Sequence, residues 1–498
     1  MSDLMKAVLA ATAAPRGTTL ANAGPVAHVA EIVYHGSQLI LPEGMSIPDA
    51  MQLLESRQKF LETTVRMSES FDVFPYDGAN AIDRVLTEKF GWAAATATPG
   101  FFGPRPPQLI SIDVGPGKKR QVPWGSFSLP GVDGLLATGH EWKGSRVVFQ
   151  LNAEVKRKDE ATIKRVFEEV REYLKTNSIY RGQAIRMRFK DNDGDDLSMP
   201  EPTFMATGTL RPEHLIYSAD VQSAIETNLF TPISRVKDCI ANGIPVKRGV
   251  LLGGPFGTGK TLAATVAATL AVQAGVTYLY VPRADELAQA IEFAKQYQSP
   301  ACVIFCEDVD RVMDGERDVE MDDILNIIDG IDTKDANLIT VLTTNAMRSI
   351  NPAMLRPGRL DAVIEVTPPD AGAVQRLLRL YGSQNIEAEA DLSLVGEELS
   401  GCIPAVIAEV VKRAKLAQLK LQAPGEQVRF LSDAALLDAA KTMRAQIELL
   451  NEASKPKDPA ITLDSTLQVV VERALSKSMG ALEDLEGDVS SIKQRVGA

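Results

Sequence analysis

The stretch VLLGGPFGTGKT at 250–261 carries residue types at a spacing that implies chemistry. Val250, Leu251 and Leu252 read as the end of a buried strand, and Lys260 as the start of a helix. Between them Gly254, Pro255, Phe256, Gly257, Thr258, Gly259, Lys260 and Thr261 follow the spacing of a phosphate-binding loop. The glycines let the backbone turn tightly, so that successive N–H groups face inward at an anion. The helix that follows adds its positive N-terminal end. Lys260 can then reach the β- and γ-phosphates, and the Thr261 hydroxyl can bind Mg²⁺. With Leu262, the next helical residue, these positions form the candidate nucleotide-binding set.

A phosphate loop alone hydrolyses nothing. It needs one carboxylate to organise Mg²⁺ and another to orient or activate water. Downstream, the apolar run Val303-Ile304-Phe305-Cys306 ends in Glu307, Asp308 and, after Val309, Asp310. Strand ends in such sheets open onto the nucleotide crevice, which favours a catalytic role over a solvated acidic turn. A second strand, Leu342-Thr343-Thr344, ends in Asn345, an amide that can hold an attacking water. Arg356 and Arg359 follow in an RPGRLD loop, where either could bring positive charge to phosphates held by a neighbouring subunit.

GPFGTGKT, VIFCEDVD, LTTNA and NPAMLRPGRLD, in that order, resemble the AAA (AAA+) family of ring-forming ATPases over about residues 215–415, nearest to its BCS-type branch. The resemblance implies a five-stranded nucleotide domain with a helical lid. It further implies ATP bound with Mg²⁺ between subunits of a homo-oligomeric ring of six or seven copies. It assigns phosphate binding to Lys260, Mg²⁺ to Thr261 and Glu307, and action on water to Asp308. Asn345 is the implied sensor, and Arg356 and Arg359 are the implied fingers on the adjacent protomer. SGCIPA at 400–405 resembles the lid's second sensor, with Pro404 where the family usually has Gly.

Three departures qualify what carries over. Most members order the strand-end acids Asp-Glu, whereas here they are Glu307-Asp308, as in the BCS-type branch; the shorter Asp308 implies slower turnover. The interval PRADELAQAIEFAKQYQSPA between Val281 and Cys302 lacks the usual aromatic–apolar–Gly pore loop, so threading of an unfolded chain is not expected. Ala362 stands where an arginine is usual.

The elements that must position these residues are legible in chain order. At 498 residues the chain is long enough for roughly three domains. Residues 1–35 read as a disordered or frayed tail, with Asp3 beside Lys6 arguing against a signal peptide. Residues 36–98 read as a small helical region. One helix starts at Ser46-Ile47-Pro48-Asp49 and a second after Asp77, past an FPYDG turn; Phe71, Phe74, Tyr76, Phe90 and Trp92 supply a small core. Residues 99–210 read as an α+β substrate or partner domain. The Ala/Thr/Pro/Gly-rich 93–125 reads as a linker, followed by a strand at 146–151 and a helix with Ile163, Val166, Phe167, Val170, Tyr173 and Leu174 on one face. Ile185, Met187 and Phe189 then alternate with Arg186, Arg188 and Lys190 as in a half-exposed strand. The acidic turn at 191–196 lacks the glycine position and the closing glutamate of a calcium loop, and reads as a hairpin turn before a strand near 203–207.

From 211 to 370 strands and helices alternate, with strands at 250–252, 277–281, 302–306, 338–343 and 362–366. Residues 371–423 read as a helical lid and 424–498 as a helical C-terminal segment. The expected fold is therefore α/β: a P-loop NTPase core with a five-stranded parallel sheet and helical lid, α+β domains before it and helices after it.

Composition narrows the partners. A net charge of −12 argues against broad attraction to nucleic acid. No stretch approaches the ~20 apolar residues of a membrane-spanning helix. Four cysteines without a framework, and four histidines without ligand spacing, argue for a reducing compartment, taken as the cytoplasm, and against zinc. The leading expectation is an ATP-hydrolysing ring that remodels or moves a protein recognised by the N-terminal half. A nucleotide-gated scaffold with slow hydrolysis and an ATPase acting on DNA are the alternatives.

Overall fold

The computed structural model describes residues 33–35, 38–40, 45–91, 98, 103–208, 210–309, 336–345, 347, 360–387, 389–423 and 425–454. It divides into two compact units, Met1–Pro368 and Pro369–Ala498.

In the first unit, strands β1 (Val33–His35) and β2 (Gln38–Ile40) form a short antiparallel pair, so the last residues of the expected tail are in a strand. A helix follows at Ile47–Leu61, capped as expected by Ser46, whose hydroxyl accepts from the Asp49 N–H. Strand β3 (Thr64–Phe71) is unexpected in 36–98, which reads from sequence as a small helical region. The FPYDG segment is also helical rather than a turn. Phe74 is the N-cap and Pro75 opens the helix Pro75–Glu88, where its missing N–H costs nothing.

The expected linker contains strands β4 (Leu109–Gly115) and β5 (Lys118–Pro123), an antiparallel hairpin turning at Pro116-Gly117. Gly117 has φ +65°, as a type II turn requires at that place. Strands β6 (Gly125–Phe127), β7 (Gly134–Lys143) and β8 (Arg146–Lys156) join β3 in an antiparallel sheet of order β3-β8-β7-β6. The helix Glu160–Thr176 covers it with the expected Ile163, Val166, Phe167, Val170 and Leu174 buried. Helix Pro75–Glu88 packs tightly on β8, because a Cβ on Gly78 would lie 2.0 Å from the Phe149 ring.

The second sheet positions the site, and it is larger than expected. Strands β9 (Ala184–Lys190) and β10 (Asp196–Phe204), assigned from sequence to the domain before the core, are hydrogen-bonded into it. With β11 (Arg248–Gly253), β12 (Thr277–Val281), β13 (Cys302–Cys306), β14 (Leu338–Thr344) and β15 (Ala362–Glu365) the order is β10-β9-β12-β13-β14-β11-β15. Every pairing is parallel except β10 with β9, so the five expected strands are present and two more extend one edge.

The sheet is buried on both faces, as a parallel sheet must be. On one face Leu279, Ile304 and Leu342 meet Leu287, Ala290 and Ile291 of the helix Leu287–Gln296. On the other, Val250, Leu252, Val303 and Val341 meet Ala263, Ala267 and Ala271 of the helix Lys260–Gln273. Before β11, the helix expected over 220–241 is broken into Ala219–Ile225, a π turn, Thr231–Ser234 and Val236–Ala241.

An aromatic cluster ties the two sheets together. Phe74 lies edge-on to Phe293 at 5.6 Å and to Tyr180 at 5.8 Å, and its N–H donates to the Tyr297 hydroxyl. Phe74 therefore serves the larger core, whereas Phe71 stays in the smaller one; Trp92 lies outside the described residues. Beneath the cluster the buried Asp77 carboxylate accepts from the Ser178 hydroxyl at 2.6 Å and the Ile179 N–H at 2.9 Å.

Burial pushes the Asp77 pKa up to about 6 against the pull of these hydrogen bonds. A folded value above the unfolded one means stability that is full below the unfolded pKa and is lost as pH rises through about 6. Relative to Asp77→Asn, the native chain should gain on the order of 1 kcal/mol between pH 7 and pH 5. Urea melts of both proteins at the two pH values measure it, and parallel shifts would remove Asp77 as the cause.

The second unit contains helices Ala371–Gly382, Ser393–Glu398, Pro404–Leu419 and Asp433–Ser454. Asp370 caps the first by accepting from the Ala373 N–H at 2.7 Å. Pro404 opens the third, a first-turn position that tolerates proline. The expected helices at 463–496 lie outside the described residues.

Candidate active site

The phosphate loop joins β11 to the helix Lys260–Gln273. Its turns depend on glycine: Gly254, Gly257 and Gly259 have φ of +148°, +78° and +101°. Gly254 also lies so close to the sheet that a Cβ would be 2.3 Å from the Val366 carbonyl oxygen. The Lys260 ammonium is buried inside the loop and donates to the carbonyls of Gly254 and Pro255, at 2.6 and 2.8 Å. Thr258 is buried and donates to the Pro255 carbonyl, while Phe256 and Leu262 are exposed.

Two hydrogen-bonded pairs stand at the strand ends beside the loop. The Thr261 hydroxyl donates to Glu307 Oε1 at 2.6 Å. The Asn345 amide donates to Asp308 Oδ1 at 2.8 Å. Asp308 has φ +46°, in the left-handed region that Asp and Asn tolerate better than other side chains. Its N–H donates to the buried Thr343 hydroxyl, which fixes that turn. Asp361 pins β15 to β11, its carboxylate accepting from the Gly249 N–H at 2.9 Å.

Two tyrosines complete the surroundings, and neither was identified from the motifs. The Tyr217 hydroxyl donates to the Gly259 carbonyl at 2.8 Å, with its ring against that glycine. The Tyr280 hydroxyl donates to Glu307 Oε2 at 2.7 Å. Burial raises the pKa of both, and the bond to Glu307 raises that of Tyr280 further, so both remain donors at neutral pH. Burial, then the nearby carboxylates, push the Cys306 thiol up to about 12, which leaves it unsuited to act as a nucleophile. Arg356 and Arg359 lie outside the described residues.

This donor set fits a nucleotide and its cation. The inward turn of 254–259 suits phosphate, and the hydroxyl–carboxylate pair Thr261–Glu307 offers the hard oxygen ligands that Mg²⁺ takes. The model of the family "ATPase family associated with various cellular activities (AAA)" matches residues 250–368. The chain carries an AAA domain.

Similarity to known proteins extends over less than half of the chain. The chain is 30% identical over 225 residues to an ATP-dependent zinc metalloprotease FtsH of Mycobacterium tuberculosis, covering 40% of this chain and 28% of that protein. It is 27% identical over 241 residues to the 26S proteasome regulatory subunit 8 homolog of Schizosaccharomyces pombe, covering 45% of this chain and 57% of that one. FtsH 4 of Synechocystis is 30% identical over 199 residues, 35% of this chain and 31% of the relative. The chain thus spans less than two thirds of the length of each. Among the described residues no helix is long and apolar enough to cross a membrane.

Proposed function

We propose that this chain binds and hydrolyses ATP at sites shared between copies in a homo-oligomeric ring, and uses the cycle to remodel or move a protein engaged by its N-terminal half. The observation that carries the reading is the pair of contacts at the strand ends, Thr261–Glu307 and Asp308–Asn345, beside a formed phosphate loop.

Lys260 exchanges its loop carbonyls for β- and γ-phosphate oxygens. Thr261 and Glu307 hold Mg²⁺, which when bound neutralises charge on the phosphates. Asp308, oriented by Asn345, takes a proton from water as the water oxygen bonds to the γ-phosphorus and the bond to the bridging oxygen breaks. ADP and phosphate result. Arg356 and Arg359 of a neighbouring copy stabilise the charge that develops.

Two observations shape the mechanical claim. Between β12 and β13 the described chain forms only a short turn at Ala284–Glu286 and the helix Leu287–Gln296, which favours a change of ring shape over threading. Relatives named as a proteasome regulatory subunit and as ATP-dependent proteases favour a protein as the object moved. Four free cysteines and the use of ATP favour a cytoplasmic setting. The scaffold reading is favoured by the length of the Asp308 side chain, one methylene shorter than the glutamate usual at that place.

The purified chain should release phosphate from ATP only with Mg²⁺, EDTA should abolish the release, and specific activity should rise with protein concentration as shared sites form. Release at the buffer blank, with tight ATP binding and assembly retained, would select the scaffold.

A further inference from the structure

Glu307 is a departure with a structural consequence. Glutamate at a metal-binding strand end has one more rotatable bond than aspartate, so its carboxylate needs an anchor to present one oxygen in a fixed direction. The structure supplies one. Glu307 Oε1 faces Thr261, while Oε2 accepts from the Tyr280 hydroxyl.

The anchor is itself held by the sheet. Strand register places Arg186 of β9 opposite Tyr280 of β12, and Tyr280 opposite Phe305 of β13. The Arg186 guanidinium lies 5.6 Å from the centre of the Tyr280 ring, and the Phe305 ring stacks at 5.9 Å and 20°. Glu307 is two residues beyond Phe305, just past the end of β13. The ring is thus packed from both neighbouring strands, with its hydroxyl directed at one carboxylate oxygen.

We propose that Tyr280 is a positioning residue: it fixes Glu307 through Oε2, so that Oε1 is presented to Thr261 and to the divalent cation of a bound nucleotide. This rests on the ATP–Mg²⁺ reading above. Arg186 belongs to one of the two strands that extend the sheet, so the added edge takes part in holding the metal carboxylate. Tyr280 acts through Glu307, to which its hydroxyl donates.

The test is equilibrium binding of a fluorescent ATP analogue to the full chain, titrated with Mg²⁺, so that no turnover is needed. Tyr280→Phe keeps the ring packed between Arg186 and Phe305, and thermal melting verifies the fold. It should leave Mg²⁺-free binding unchanged and raise the half-saturating Mg²⁺ concentration about tenfold, as loss of an outer partner of a metal ligand does. In a Glu307→Asp background, whose carboxylate falls short of Tyr280, the same change should shift the requirement less than about twofold, the signature of a pairwise interaction. An unchanged Mg²⁺ requirement in Tyr280→Phe, or an equal penalty in both backgrounds, overturns the positioning role while the ATP–Mg²⁺ reading stands. Analogue binding by the native chain with no Mg²⁺ dependence overturns both.

Discussion

Asp308→Asn should lower ATP turnover by about 10²–10⁴-fold, the usual contribution of a positioned general base. It should leave ATP binding and assembly intact. Asparagine tolerates the left-handed backbone at this position, and its carbonyl oxygen can still accept from Asn345. It cannot take a proton from water. Because the lost interaction develops only in the transition state, kcat and kcat/KM should fall together. Phosphate release at saturating ATP, with analogue binding and melting as controls, measures this. A fall of less than about tenfold would move the base elsewhere.

Arg359→Ala should be at least as damaging, by about 10³–10⁵ in kcat, because an arginine supplied to a phosphoryl-transfer site neutralises charge that exists mainly in the transition state. ATP binding by the altered chain should persist, since on the proposed reading the lost charge acts mainly in the transition state. Arg359→Lys should recover only part of the rate: a lysine offers a point charge in place of a planar fork of donors. The same phosphate-release assay reads both variants, alongside sedimentation to compare their assembly with that of the native chain. Turnover within about tenfold of native for Arg359→Ala would remove this residue from the site.

Much of the site could be read from the sequence because its parts are local. Five of the eight residues 254–261 answer a local demand, for left-handed backbone at Gly254, Gly257 and Gly259 or for a donor at Lys260 and Thr261. β13 could be read because both faces are buried, giving an uninterrupted apolar run, and β14 because only threonines interrupt its apolar residues. The sequence also placed Thr261 with Glu307 and Asp308 with Asn345 in function, and the fold brings each pair into hydrogen-bond contact.

What escaped the sequence is long-range or ambiguous. The alternation of Ile185, Met187 and Phe189 marks a strand but does not say that its partner is β12, far along the chain. Strand β3 buries one side only partly and its pattern is mostly polar, so its apolar signal is weak. In the hairpin β4–β5, Pro116 and Gly117 marked the turn, but the surrounding prolines and glycines concealed the alternation of Ile110, Ile112 and Val114. Tyr217 and Tyr280 meet the site only through tertiary packing, so no spacing could have revealed them.

If each ATP site is shared between two copies, two variants that are inactive alone should complement each other when mixed. Asp308→Asn lacks the base and keeps the arginine, whereas Arg359→Ala lacks the arginine and keeps the base. In co-assembled rings at equal amounts, roughly a quarter of the interfaces pair an intact base with an intact arginine. Phosphate release should therefore return to a sizeable fraction of the native rate in the mixture, while each variant alone stays inactive. A mixture shown to exchange subunits, yet with no more turnover than its components, would contradict the shared site.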